Sequence, residues 1–119
     1  MEQSFGEIIR QARKDKGYSQ RKLAELVHLD FTYLSKLEND RADHPPSEEA
    51  IRSLAQHLKL PDVEELIYLA GRIPELDENY LKQHPKEMPT LLRHMRNNHD
   101  FARRVFREAT QPKSEDEQS

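Results

Sequence analysis

The sequence contains no cysteine, and this absence excludes disulfide bonds and thiolate metal sites. It is also typical of a cytoplasmic protein, and the first residues show no basic-then-apolar signal for secretion. No run of about 18 apolar residues occurs, so we expect neither a membrane-spanning helix nor a membrane partner. We therefore predict a protein of the cytoplasm.

Patterns typical of enzymes are missing as well. The three glycines form neither a phosphate-binding loop nor a nucleophile elbow. Among the six histidines, no two have the spacing of an HExxH zinc site, and His94 and His99 are separated by a predicted helix break. The acidic residues between positions 40 and 49 lack the glycine and the ligand spacing of a calcium loop. We expect no enzyme activity, no bound metal and no cofactor.

The most informative stretch of the chain is Ser19–Asn39. Two short patterns of helical spacing, Gln20–Val27 and Phe31–Glu38, are separated by only three residues. Helices joined so closely must cross steeply, and the exposed face of the second can then enter the major groove of DNA. The sequence therefore predicts a helix-turn-helix protein whose partner is double-stranded DNA.

The same stretch resembles the Cro/C1 or Xre family of helix-turn-helix regulators. The similarity rests on Ser19-Gln20-x-x-Leu23-Ala24, Leu34-Ser35-x-x-Glu38-Asn39, Pro46-Ser47 and Leu54-Ala55, and it extends to about Gly71. It implies a five-helix lambda-repressor-like domain that regulates transcription. The family usually has glycine where this chain has His28, but histidine tolerates a positive φ better than most residues, so we expect the turn to form.

The net charge of −3 is unusual for a DNA-binding protein. The charge is unevenly distributed, because residues 10–41 hold eight Lys or Arg against five Asp or Glu, whereas residues 42–76 hold three against seven. DNA responds to the field within about 8–10 Å, so the basic N-terminal region suits a phosphate backbone. The modest local excess predicts few phosphate contacts per subunit and weak binding by a monomer.

Helical spacing and capping residues predict an all-α fold. Residues 1–71 should form the five-helix DNA-binding domain, with N-caps at Ser4, Ser19, Asp30 and Ser47 and a fifth helix opened by Pro61-Asp62. Residues 72–110 should form a small helical extension for dimerisation or partner binding. Residues 111–119 are rich in Glu, Asp, Ser and Gln and are predicted to be a disordered tail.

Within the extension, prolines are expected to limit the helices. We predict a short helix over Asp77–Gln83 and a new helical pattern from Thr90, with Pro89 ending any earlier one. An interruption near position 98 should be followed by a final helix capped by Asp100.

The predicted DNA contacts come from both helices of the motif and the residues beside them. They are Ser19, Gln20, Arg21, Lys22, Phe31, Thr32, Tyr33, Ser35, Lys36, Asn39 and Arg41. Lys36 can donate to guanine O6 or N7, and Thr32 can reach a base or a phosphate. Arg21, Lys22 and Arg41 are placed to contact phosphates.

Two aromatic residues of this set combine possible packing with possible DNA contact. Phe31 could contact a thymine methyl group or pack back onto the preceding helix, and Tyr33 could bury its ring and direct its hydroxyl to a phosphate. The resemblance implies that Gln20 contacts the DNA backbone and braces the recognition helix. It also implies a structural role for Glu38, which we expect to bond nearby backbone or Arg13.

The C-terminal extension carries an apolar stripe of Leu92, Met95, Phe101, Val105 and Phe106 opposite several arginines. Such a stripe cannot remain in water alone. It could fold back onto its own chain, pair with a second copy, or bind a partner protein, and the arginines could form a solvated face or a second DNA contact.

We predict a homodimeric repressor that reads an inverted-repeat operator through its third helix. The alternative is an antitoxin or another interaction module that sequesters a partner through the C-terminal helices. Release from DNA could be governed by a regulatory protein or a protease acting on this extension, or by concentration alone. A small metabolite is not expected, because the five-helix part looks too small for a pocket of roughly 300 Å³.

Overall fold

The computed structural model describes residues 2–112, and within these residues the chain is helical without strands. The helices are α1 (Phe5–Asp15), α2 (Gln20–Val27), α3 (Phe31–Glu38), α4 (Glu48–Leu58), α5 (Val63–Leu69), α6 (Glu75–Lys82), α7 (Glu87–Asn97) and α8 (His99–Thr110). The predicted all-α class is confirmed, with five helices complete before Gly71. The predicted disordered tail, residues 111–119, lies outside the described residues from position 113 onward.

Capping side chains fix where the first five helices begin. Each cap accepts a hydrogen bond from the backbone N–H three residues on, which satisfies a donor that the helix itself cannot pair. The caps are Ser4, Ser19, Asp30, Ser47 and Asp62. These short polar side chains explain why α2 and α3 have the bounds that their sequence pattern predicts.

Residues with positive φ, in the left-handed helical region, end several of the helices. His28 ends α2 with φ 56°, and the following N–H of Leu29 donates to the carbonyl oxygen of Ala24 at 3.0 Å. The turn of the motif therefore forms with histidine in place of glycine, as expected. Gly17 and Gly71 take the same region after α1 and α5, with φ 76° and 90°.

The core of the first five helices lies between α1, α2, α3, α4 and α5. Helix α1 packs on α3 and α4, α2 packs on the same two helices, and α4 packs on α5. The buried apolar residues are Phe5, Ile9, Leu23, Ala24, Val27, Leu34, Leu37, Ile51, Leu54, Ala55, Leu58, Leu66 and Ile67. Because α3 turns Leu34 and Leu37 into this core, its opposite face is left for solvent or a ligand.

The chain divides into two compact units between Glu78 and Asn79. This division lies later than the boundary predicted after Gly71. One reason is Arg72, whose guanidinium donates to the backbone carbonyl oxygen of Pro46. The residues after Gly71 are therefore anchored to the first unit.

Two further bonds anchor the start of α6 within the first unit. The backbone N–H of Glu75 donates to Oε1 of Glu48 at 2.7 Å, and this bond is the main reason why the pKa of Glu48 is lowered. The hydroxyl of Tyr68 donates to Oδ2 of Asp77 at 2.5 Å, which raises the pKa of Tyr68 to about 12. Helix α6 consequently begins at Glu75, earlier than predicted.

The second unit corrects two predictions about helix boundaries. Pro89 does not end a helix, because it lies in the first turn of α7, where a missing N–H costs nothing. Asp100 is not the cap of α8. Asn98 has that role, since its Oδ1 accepts from the N–H of Phe101 at 3.0 Å, and Asp100 pairs with Arg103 instead.

Helices α7 and α8 pack against each other, and the ring of His94 stacks on Phe101 with centroids 3.9 Å apart. No described residue of α6, α7 or α8 is buried. Leu92 and Phe106 are 43% and 61% exposed. None of the helices described is both long and apolar enough to cross a membrane.

Gly6 is the point of closest approach between α1 and the end of α3. A β-carbon at this position would overlap the backbone carbonyl oxygen of Leu37 and would lie 2.9 Å from that of Glu38. Because these neighbours are backbone atoms, they cannot rotate away as a side chain could. The approach of the two helices therefore depends on glycine at position 6.

We predict that Gly6→Ala destabilises the protein. Alanine favours a helix by about 0.5–1 kcal/mol over glycine, but overpacking costs about 1–3 kcal/mol, so the second effect should exceed the first. Thermal unfolding followed by circular dichroism measures the difference in midpoint from the wild type. Lys14→Ala, at an exposed position of the same helix, is the control. A midpoint for Gly6→Ala equal to or higher than that of the wild type would contradict the argument.

Candidate nucleic-acid interface

The outward face of α3 is the centre of the candidate interface. Thr32 and Lys36 are exposed and lie one turn apart on this face, and Ser35 is half-buried beside them. The predicted base-reading residues are thus presented together. Arg21, Lys22 and Arg41 are also exposed, as contacts to phosphate would require.

A buried carboxylate holds α3 in place. Glu38, whose side chain is 0% exposed, accepts two hydrogen bonds from Arg13, from Nε at 2.8 Å and from Nη2 at 3.0 Å. Gln20 donates to the same carboxylate at 2.9 Å. The expected bond from Arg13 to Glu38 and the bracing role of Gln20 are confirmed, whereas a contact from Gln20 to DNA stays a prediction.

These hydrogen bonds join three helices at the carboxylate of Glu38. Arg13 belongs to α1, Gln20 is the first residue of α2, and Glu38 is the last residue of α3. Arg13 also donates through Nη1 to the backbone oxygen of Tyr18 at 2.9 Å, which fixes the loop before α2. The orientation of α3 relative to α2 is therefore set by charged groups as well as by the apolar core.

Phe31, at the first position of α3, packs against the core and is half-buried. The guanidinium carbon of Arg21 lies 4.3 Å from the centre of its ring. Of the two interpretations, the structure supports packing towards α2. A contact from this ring to a thymine methyl group stays a prediction.

Two other predicted contacts are engaged within the chain. The hydroxyl of Tyr33 donates to the backbone oxygen of His44 at 3.0 Å, and the two rings stack with centroids 5.3 Å apart. Asn39 donates to the backbone oxygen of Ser35 at 2.8 Å and accepts from Arg10 at 2.7 Å. To donate to DNA, Tyr33 would have to give up its bond to His44, whereas the amide of Asn39 has a second N–H beside the one that bonds Ser35.

Sequence reasoning did not identify Arg10 as part of this arrangement. It lies one turn before Arg13 on α1, so the helical spacing of two arginines facing α3 was a signal that could have indicated it. Beyond α3, Asp40 takes φ 56° and accepts a hydrogen bond from Ser4 at 2.8 Å. The N-cap of α1 thus holds the turn that follows α3.

The first unit contains an open groove of about 400 Å³ between the N-terminus of α1, residues 40–46 and the end of α5. The groove is larger than the roughly 300 Å³ considered above, but it is open to solvent, so the expectation that this part forms no ligand pocket stays a prediction. All buried side-chain polar atoms of the described residues have hydrogen-bond partners, so the groove offers no unpaired buried polar group to a ligand.

Comparison with known proteins identifies the class. The family model described as a helix-turn-helix domain matches residues 6–72, which is more than half of the chain. The chain belongs to this family and is a DNA-binding transcriptional regulator of the Cro/C1, or Xre, type.

Solved structures of a related regulator share similarity with the chain. The crystal structure of the master regulator for biofilm formation SinR in complex with DNA is 33% identical, with a TM-score of 0.47, over 53% of this chain and 97% of that one. A complex of SinR protein and SinI protein is 24% identical, with a TM-score of 0.47, over 89% of this chain and 99% of that one. Comparison with curated proteins gives no match.

We predict that Glu38→Gln destabilises the domain strongly. The change leaves Arg13, whose side chain is only 11% exposed, without its ionic partner, and breaking a buried pair in this way costs about 3–5 kcal/mol. Chemical denaturation measures the loss, with the exposed Glu25→Gln as the control. The double variant Arg13→Met with Glu38→Leu should recover much of the stability, and an unchanged midpoint for Glu38→Gln would refute the role of the charge.

Proposed function

We propose that the protein is a homodimeric repressor that reads an inverted-repeat operator through α3. The observation that carries the proposal is the outward face of α3, where Thr32 and Lys36 are exposed while Glu38 is held from behind by Arg13 and Gln20. A recognition helix must present its polar side chains rigidly to base edges, and this arrangement meets that requirement.

In this proposal, Lys36 reads a guanine and Thr32 reads a base or a neighbouring phosphate. Backbone contacts come from exposed cationic or hydroxyl groups on both sides of the turn. Ser19 remains able to donate its hydroxyl proton to a phosphate, because its oxygen only accepts the hydrogen bond from Lys22 that caps α2. A set of so few contacts supports only weak binding by one subunit.

The second unit supplies the reason to propose a dimer. A pair of helices with no buried residue lacks a core of its own, and Leu92 and Phe106 leave apolar surface in water. A second copy would cover this surface with an identical one. Two linked copies would also contact two half-sites about one DNA turn apart, and the second contact would become intramolecular.

The same surface supports a second candidate function, a protein-interaction module such as an antitoxin. Exposed apolar residues bind an unrelated protein as well as a second copy. Such a partner, or a protease acting on the second unit, would release the regulator from DNA. The candidates differ in solution, because only the repressor proposal requires the isolated protein to associate with itself.

We predict that Lys36→Ala weakens operator binding and relaxes one base position. Loss of a guanine contact costs about 1–3 kcal/mol at the preferred site. The site is first identified by sequencing the genomic fragments that the wild-type protein retains at low salt, and affinities are then measured by fluorescence anisotropy. The exposed Lys14→Ala is the control for loss of charge. Equal affinity and equal base preference in Lys36→Ala would contradict base reading by this residue.

We predict that Leu92→Gln combined with Phe106→Gln dissociates the protein into monomers and weakens operator binding. The full chain is compared with the wild type by sedimentation velocity at several concentrations. Arg96→Gln combined with Arg107→Gln removes two exposed charges of the same two helices and should leave the association intact. An unchanged sedimentation coefficient in the apolar double variant would remove the dimer surface from consideration.

A further inference from the structure

We propose that Phe31 is a positioning residue that acts on DNA through Arg21. In this proposal, which rests on the proposed DNA-binding function, the ring of Phe31 holds the guanidinium of Arg21 at the start of α3. The edge of the guanidinium then binds a phosphate of the DNA backbone. The two residues form one phosphate-binding unit that spans both helices of the motif.

The geometry of the pair is that of a cation held over an aromatic face. The guanidinium carbon of Arg21 lies 4.3 Å from the ring centre of Phe31, within the range of a cation–π contact. Phe31 is half-buried and packed against the core, so its ring is a fixed support, whereas Arg21 is exposed. Stacking uses the face of the guanidinium and leaves its N–H groups, which lie in its plane, free to donate.

The charge of Arg21 is not neutralised within residues 2–112. Some arginines of the described residues donate to acceptors of the protein itself, namely Arg10, Arg13, Arg52, Arg72 and Arg103, and others do not. Within this part of the chain, the side chain of Arg21 makes no hydrogen bond or ion pair, and its guanidinium lies over the ring of Phe31. An arginine that is both oriented and unneutralised is suited to an external anion.

A phosphate is the anion that the position favours. Arg21 is the second residue of α2, and in helix-turn-helix complexes the first helix of the motif crosses the DNA backbone while the second enters the groove. A planar guanidinium fork also matches two phosphate oxygens. Because Phe31 already restricts the side chain, less conformational freedom is lost when Arg21 binds.

The test is a double-mutant cycle on the full chain, with affinities measured for the selected operator and for unrelated duplex DNA. Phe31→Leu should weaken binding to both DNAs by the same factor, about two- to fivefold. In an Arg21→Ala background, the same change at Phe31 should have no further effect. Arg21→Ala should also reduce the slope of affinity against salt by about one counterion, while Phe31→Tyr should bind like the wild type.

Thermal unfolding checks that the variants are folded, and Phe31→Met provides a second replacement without a ring if leucine packs poorly. Equal losses from Phe31→Leu with and without Arg21 would overturn the proposal. So would a loss confined to one A·T position of the operator, because that result identifies Phe31 as a direct reader of a thymine methyl group. Absence of any DNA binding by the wild type would overturn the proposed function as well, whereas wild-type binding without coupling overturns this inference alone.

Discussion

The Glu38 carboxylate is fully buried, so its charge and lone pairs must be satisfied inside the protein. Arg13 and Gln20 meet this requirement from two other helices, and any large rotation of α3 would separate the charge from its partners. Such a pair adds little net stability compared with apolar side chains of similar size, but it penalises alternative arrangements. The angle at which α3 is presented therefore depends on an electrostatic constraint placed behind it.

Much of the fold could be predicted because its signals are local. A serine or aspartate before an apolar pattern defines a helix start, and α2 and α3 have the bounds that these signals indicate. The helix boundaries of the second unit were harder to predict, because the same residues fit more than one arrangement. Asn98 and Asp100 are both able to cap a helix, and Pro89 can either end a helix or occupy its first turn.

The candidate site also has one part that local signals predict and another that they do not. The buried positions of Leu34 and Leu37 were enough to place Thr32 and Lys36 on the outward face of α3. Residues three or four apart share one face of a helix, so Thr32 and Lys36 share a face that the two buried leucines do not occupy. The partners that constrain other side chains come from distant parts of the sequence. The bond from Tyr33 to the loop at His44 depends on the tertiary fold, and helical spacing in the sequence carries no information about such a contact.

The contact at Gly6 has a consequence for genetics. A β-carbon there would overlap the backbone oxygen of Leu37 and approach that of Glu38, so a bulkier residue would push on the end of α3. A screen for variants that fail to regulate would recover position 6 together with the residues proposed to touch the operator. Position 6 would then be mistaken for a contact residue, although its effect would be transmitted through the backbone of α3.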